Sequence, residues 1–370
     1  MQLVKKSATA LILFLFTTVL TVPSKAQIGN VERILQASKA DANKLVQAYL
    51  KPFGSGFGAG LNTGWTNTAQ PHKTLGFDLT ISAGLAIVPD SDLEFDIADL
   101  KLDQLQVQGE NTVTPTINGA GRAGPTMEAS ATVNDTERTL FNFEMPAGTG
   151  FRYTPAPMIK ASVGLIKNTE VMFRYTPELN INDFGTFQLL GGGVKHDIKQ
   201  WLPGSGLIPV DISVMFGYTS MDVNSPFEIR PDDVMEDPGN TENSLPASTW
   251  QGQGIEMQTD AWTINALVGK TLPVISVYGG VGYEASTFSI TTPGSYPTVV
   301  PTNPQPAPGS NEERFVVEAI EGPVDVEIKG ENGFRALAGF RLRFTIFHIS
   351  GSYTLSKYPS YNVGFGISFR

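Results

Sequence analysis

The last ten residues alternate strictly. Tyr361, Val363, Phe365, Ile367 and Phe369 fall on one face of an extended chain, and Asn362, Gly364, Gly366, Ser368 and Arg370 on the other, because strand side chains repeat with a period of two. A strand that is oily on one side and small or polar on the other suits a wall between lipid and water. The same pattern recurs upstream. It predicts strands over Gly56–Trp65 and Thr74–Val88, a further start at Leu93–Ile97 whose phase slips at Ala98, and strands over 157–165, 171–176, 184–198, 208–219, 257–269, 275–286, 334–344 and 347–355. Residues 109–155 show little beyond a hairpin at Met127–Val133 and Thr139–Met145.

Ahead of these strands the period changes. Val31, Ile34, Leu35, Ser38, Ala42, Leu45, Val46 and Tyr49 follow helical spacing. Ser38 and Asp41 read as a capping pair, and Pro52 and Gly54 read as terminators. This predicts a helical segment within residues 27–53, lying in a barrel lumen as a plug, or at the periplasmic rim or free in the periplasm.

Connection lengths give a second, independent signal. Short connections are expected at Pro89–Asp90, Lys167–Asn168, Lys199–Gly206, Lys270–Pro273 and Thr345–Ile346, and long ones at Met221–Gly254, Thr291–Gly333 and Gln108–Pro155. Outer-membrane barrels have short periplasmic turns and long outer loops. The expected fold is therefore all-β: a closed antiparallel transmembrane β-barrel over residues 54–370, of about twelve strands with ten or fourteen as alternatives. Trp65, Trp201, Trp262, Tyr175, Tyr218 and Tyr361 lie near predicted strand ends, where an aromatic girdle sits.

The first residues bear on compartment. Lys5 and Lys6 precede the apolar run Ala8–Val22, and Ser24-Lys25-Ala26 supplies a small-x-small cleavage site. This predicts a signal peptide over residues 1–26 and an exported mature chain, located in the outer membrane. No later stretch is long and apolar enough for a transmembrane helix, so a membrane must be crossed by a closed sheet. The chain has no cysteine, so no disulfide supports it outside the cytoplasm. Its formal charge is −10; losing Lys5, Lys6 and Lys25 with the signal peptide takes it to −13, a balance that repels nucleic acid.

The candidate chemistry sits on the polar faces of the strands. Lys160, Arg174, Asp211, Glu284, Arg335, Arg341, Arg343 and His348 are expected to face the lumen. They read as ion-paired networks that stiffen the barrel, or alternatively as a basic strip that steers an anionic solute. The three histidines are the candidate catalytic groups: His72 in a predicted outer loop, His196 near the periplasmic rim and His348 in the lumen. No nucleophile motif, phosphate loop or zinc spacing accompanies them, and no enzyme, cofactor or metal is expected. The acidic run Pro231–Pro238 lacks the spacing of a calcium loop and reads as a solvated surface.

The run Gly192–Pro203, followed by Val210–Tyr218 and preceded by Asn67–Asp78, resembles a family of exported barrels of unknown function. That family is distantly similar to the long-chain fatty-acid transporters. The resemblance implies an N-terminal hatch in the lumen and passive uptake or binding of a small, hydrophobic solute. The alternative function is a non-transporting accessory or scaffold barrel for an envelope or secretion complex. Expected partners are outer-membrane lipid, a small hydrophobic or anionic solute, and other envelope proteins.

Overall fold

The computed structural model describes residues 34, 38–133, 136–180, 185–235, 239, 241–301 and 315–369. The predicted signal peptide, residues 1–26, lies outside them. Ten long strands form one closed antiparallel barrel: β1 (Phe77–Ile87), β2 (Tyr153–Leu165), β3 (Thr169–Asn180), β4 (Thr186–Asp197), β5 (Asp211–Pro226), β6 (Gly254–Thr271), β7 (Ile275–Thr291), β8 (Gly333–Phe344), β9 (Phe347–Leu355) and β10 (Ser360–Phe369). Each pairs with its neighbour in sequence, and β10 returns to β1 from Phe77↔Phe369 to Ala86↔Ser360. A short strand, Asp325–Lys329, extends the barrel edge by pairing with the far end of β7.

Ten strands is the lower of the expected counts. Three regions expected as strands are not wall, Gly56–Trp65, Leu93–Ile97 and the 126–144 hairpin. Leu93–Ile97 contributes a three-residue strand and the start of a 3-10 turn inside a long loop. The 126–144 hairpin belongs to a separate three-stranded sheet above the barrel. Pro89–Asp90 is accordingly not a tight turn but the start of the longest connection, residues 88–152. Elsewhere the parity holds only in part, since residues 356–359 make a short connection at the end that carries the long loops. Residues 166–168, 198–210, 272–274 and 345–346 close one end of the barrel, and 227–253 and 292–332 rise from the other.

The outward face is the apolar one. Phe173, Tyr175, Leu190, Val281, Val363 and Phe365 are exposed, while their sequence neighbours Met172, Arg174, Gly280 and Gly364 point inward. Aromatic pairs mark both rims: Phe77 stacks on Phe369 at 5.0 Å near the short-turn end, and Tyr353 meets Tyr361 at 4.9 Å near the long-loop end. An apolar exterior of this extent would drive association in water, and it matches the lipid-facing band of a membrane barrel.

The N-terminal helix α1 runs from Lys39 to Leu61, capped by the Ser38 hydroxyl, which accepts from Asp41 N at 3.3 Å. Its first half sits among the long loops. Ala42 and Leu45 join Ile97, Leu105, Met127, Phe143 and Met145 in one core, and Val46, Leu50 and Phe53 pack against Phe288, Ile290, Val326 and Ile328 in another. Its second half enters the lumen. The expected stop at Pro52 does not occur: Pro52 has no N–H to give the carbonyl four residues earlier, but it is buried inside a helix whose surroundings hold the backbone. The expected strand Gly56–Trp65 is the end of this helix and the turn after it.

Candidate functional site

Alternating glycines explain why that stretch looked like a strand. Positions two apart lie about 200° apart around a helix. Gly54 and Gly58 therefore face one wall, and Gly56 and Gly60 the opposite one. A Cβ on Gly54 would lie 2.9 Å from the Phe288 ring, and one on Gly58 would run into the Ser286 hydroxyl, both on β7. On the other side, a Cβ on Gly56 would lie 2.7 Å from Thr154 Oγ1 and one on Gly60 3.0 Å from Ala156 Cβ, both on β2. Strands β2 and β7 stand across the ring from each other. A ten-stranded lumen admits this helix only where side chains are missing from both flanks.

Beyond Leu61 the chain descends as an extended segment and leaves at the short-turn end, where Leu75 N donates to Gly164 O at 2.8 Å before β1 begins. The wall holds this segment by its backbone. Arg174 donates to Leu61 O at 2.5 Å and to Thr63 O, and Arg335 donates to Asn62 O at 3.0 Å. Lys160 Nζ reaches Trp65 O at 3.0 Å, Tyr278 Oη reaches Thr66 O at 3.0 Å, Lys195 Nζ reaches Thr68 O at 3.2 Å and Ser213 Oγ reaches Ala69 O at 2.7 Å. The two arginines meet the C-terminal end of α1, where unsatisfied carbonyls and the helix dipole concentrate negative charge. Arg174 also lies over the Trp65 ring, 3.8 Å from its centroid.

Carboxylates balance the cations. Glu284 pairs with Arg335 at 2.8 Å, Glu170 with Lys195 at 3.0 Å, and Asp78 with Arg341 at 3.2 Å and with His348 at 2.7 Å. Arg341 also donates to Ser368 Oγ at 2.6 Å, so that it holds both Asp78 of β1 and the residue paired with it on β10. Buried charges are tolerated when paired and hydrogen-bonded; these line a lumen filled by protein, with the Nε atoms of Arg174, Arg335 and Arg341 left without a partner among the described residues. The cations are thus engaged with plug carbonyls and wall carboxylates, and the ion-paired reading of the lumen residues fits the geometry.

Of the eight expected lumen residues, Lys160, Arg174, Glu284, Arg335, Arg341 and His348 are buried there. Two are not. Arg343 is exposed at the short-turn rim, donating to Pro273 O at 3.0 Å, and Asp211 is half-buried at the same rim as the first residue of β5. Their alternation is correct, but both stand at strand ends, where the wall gives way to solvent. Trp65, expected in the outer girdle, is buried in the lumen. His72, expected in an outer loop, lies at the short-turn end, with its N–H on Glu170 at 3.0 Å and its ring 3.9 Å from Asp78. His196 is where it was expected, near that rim, accepting from Trp201 Nε1 at 2.9 Å. Sequence reading missed Lys195, Tyr278 and Ser213 as plug holders. Inward parity was their only signal, and their partners are backbone atoms that carry no sequence mark.

The long-loop end is closed by an ordered cap. Buried Asp41 accepts from the N–H groups of Asp103, Gln104 and Leu105 at 2.8, 2.7 and 3.0 Å, tying the start of α1 to the loop above β1. Tyr49 donates to Ala147 O at 2.9 Å, and burial pushes its hydroxyl up to about 12. Tyr358 donates to Asp92 at 2.5 Å; burial and that carboxylate raise its hydroxyl well above the usual tyrosine range.

The sequence matches a family of unknown function, DUF6588, over residues 4–369. No curated protein matches it. Among solved structures it is similar to Ail, the attachment invasion locus protein of Yersinia pestis, at 11% identity, 80% of this chain, 100% of that chain and a TM-score of 0.23. It is also similar to the translocator domain of the autotransporter NalP from Neisseria meningitidis, at 10% identity, 81% of this chain, 90% of that chain and a TM-score of 0.27. The ferric-catecholate import receptor Fiu from E. coli aligns at 14% identity, 78% of this chain, 55% of that chain and a TM-score of 0.26. No residue role is carried across from them.

Proposed function

The chain belongs to the DUF6588 family, and we propose that this member is an outer-membrane β-barrel closed to free diffusion by its own N-terminal segment. It serves at the cell surface as a binding or scaffold barrel in contact with outer-membrane lipid and other envelope proteins. The carrying observation is the run of plug carbonyls from Leu61 to Ala69, held by side chains of six strands. Hydrogen bonds to charged groups contribute about 1.5–3 kcal/mol each, so this segment is part of the folded wall and not a loosely seated hatch. The exterior band supports the membrane placement, and the short-turn end then faces the periplasm. The proposal assigns no reaction to the histidines.

Liposome swelling with a small sugar and planar-bilayer conductance test it. The wild-type protein is expected to show neither swelling nor steady conductance. Removing residues 39–69, the helix together with the held segment, is expected to open a channel in protein that remains folded, as judged by heat-modifiable gel mobility. Steady flux through the wild type overturns the reading, as does a folded deletion variant that stays shut.

A second reading is uptake of a small hydrophobic solute, as the resemblance to the fatty-acid transporters implies. It is favoured by an apolar group inside the lumen, comprising Met158, Phe187, Leu189 and Met221 around Phe57 and Leu61. Entry of a lipophilic dye without ionic conductance would distinguish it.

A further inference from the structure

The two ends of the barrel treat their cations differently. At the long-loop end Lys44 pairs with Asp103, and Lys51 and Lys357 both pair with Glu331. At the short-turn end Lys73, Lys167 and Lys199 make no ion pair among the described residues. Asp197 lies beside them, but its carboxylate accepts from Lys199 N at 2.8 Å, one negative charge against three positive.

The loops that carry these lysines touch. Leu75 N donates to Gly164 O at 2.8 Å, Thr74 Oγ1 to Leu165 O at 3.2 Å, and Gln200 Nε2 to Lys167 O at 2.9 Å. The three loops form one ledge below β1–β4. Leu75 and Lys167 hold φ of 63° and 55° there, in the left-handed region that glycine or asparagine enters more easily. Both side chains are exposed, so core packing does not account for that strain.

The ledge also presents apolar groups on the outside of the wall. His196 follows inward Lys195, so its ring lies on the outer face of β4. Trp201 Nε1 donates to His196 Nε2 at 2.9 Å, and Thr169 Oγ1 lies 2.8 Å from His196 Nδ1. The indole is thus fixed outside the barrel with its polar atom already bonded, and it is 65% exposed. Leu75 is 72% exposed. It precedes the stacked Phe77 of the short-turn rim by two residues, which keeps it within about 7 Å of that rim. This is the depth of lipid headgroups, where tryptophan and snorkelling lysine side chains settle.

We propose that this ledge binds anionic phospholipid of the periplasmic leaflet: the three lysines take headgroup phosphates, and Trp201 and Leu75 enter the interface beside them. The uncompensated charge fixes the anionic class, and the exposed apolar pair at rim depth selects lipid over a soluble polymer. The inference rests on the membrane placement and orientation proposed above.

The full chain is placed in nanodiscs of equal phosphatidylglycerol and phosphatidylcholine, and native mass spectrometry counts the lipids it retains. Phosphatidylglycerol is expected in excess by about fivefold or more, the factor one lysine near an anionic surface supplies. Lys73→Gln, Lys167→Gln and Lys199→Gln together are expected to bring the ratio close to one, whereas arginine at the same three positions keeps it. Lys51→Gln with Lys357→Gln, at the other end, is expected to leave it unchanged. If the triple glutamine variant fails to fold, Lys167→Gln alone is expected to lower the ratio. Quenching of tryptophan fluorescence by acyl-brominated phosphatidylcholine reports the membrane placement separately, whatever headgroup is preferred. Quenching without a phosphatidylglycerol preference overturns the ledge and leaves the placement standing, as does a preference that survives the triple glutamine change. A preference abolished by inorganic phosphate at the headgroup concentration makes the ledge a site for free anions and overturns the lipid assignment. Absence of quenching overturns the placement and the ledge with it.

Discussion

At the scale of single residues, small size and charge do most of the positioning. Four glycines in one helix cost stability, since each is about 0.8–1.0 kcal/mol worse than alanine in a helix interior. They are retained because the two walls leave no room for a methyl group. Gly58→Ala tests this: the added carbon meets Ser286, and overpacking of about 1–3 kcal/mol is expected to outweigh the gain in helix propensity. The thermal unfolding midpoint should fall, and Ser286→Gly in the same chain should restore it. The lumen charges were legible from alternation alone in six of eight positions, because a period-two pattern fixes which face a residue takes. Alternation says nothing of height, so the two residues at the rims, Asp211 and Arg343, were assigned a lumen they barely reach.

At the scale of elements, the barrel strands were readable and the plug was not. A buried strand edge and a helix pressed between two walls both produce small residues at every second position, and Phe53–Leu61 satisfies either description. The choice is made by what surrounds it: Thr154, Ala156, Ser286 and Phe288 stand on opposing strands more than ninety residues away in sequence. Docking of α1 to the outer loops depends on Asp41, whose carboxylate takes three backbone donors. Asp41→Ala leaves the buried Leu105 donor unmet and the part-buried Asp103 and Gln104 donors without their partner, and about 1–3 kcal/mol of local stability should be lost. Hydrogen exchange at Asp103, Gln104 and Leu105 is expected to accelerate while the amides of β10 stay protected. Equal loss at β10 would mean that the cap and the barrel unfold together.

At the scale of the whole molecule, the path of the chain has a consequence. Helix α1 starts among the long loops, descends the lumen and hands over to β1 at the short-turn end. Its N-terminal end therefore stands on the same side as the long loops. The chain has no cysteine, so single cysteines report topology without interference. Lys39→Cys, at an exposed position, is expected to react with a membrane-impermeant thiol reagent on intact cells. Ile166→Cys, in a short turn where the native side chain is 70% exposed, should react only after the outer membrane is breached. The reverse pattern would invert the orientation.

The sequence by itself determined the kind of wall. Oily and polar positions alternate strand after strand, the longest connections fall at one end, and both are local properties that survive without knowledge of any partner. The tertiary structure alone decided how many strands close the ring, that Gly54–Leu61 is helix, and that Lys160, Arg174, Lys195 and Arg335 hold plug carbonyls. Those outcomes depend on groups far apart in the chain meeting across a lumen of fixed width, and a backbone carbonyl leaves no trace in the residue that bears it.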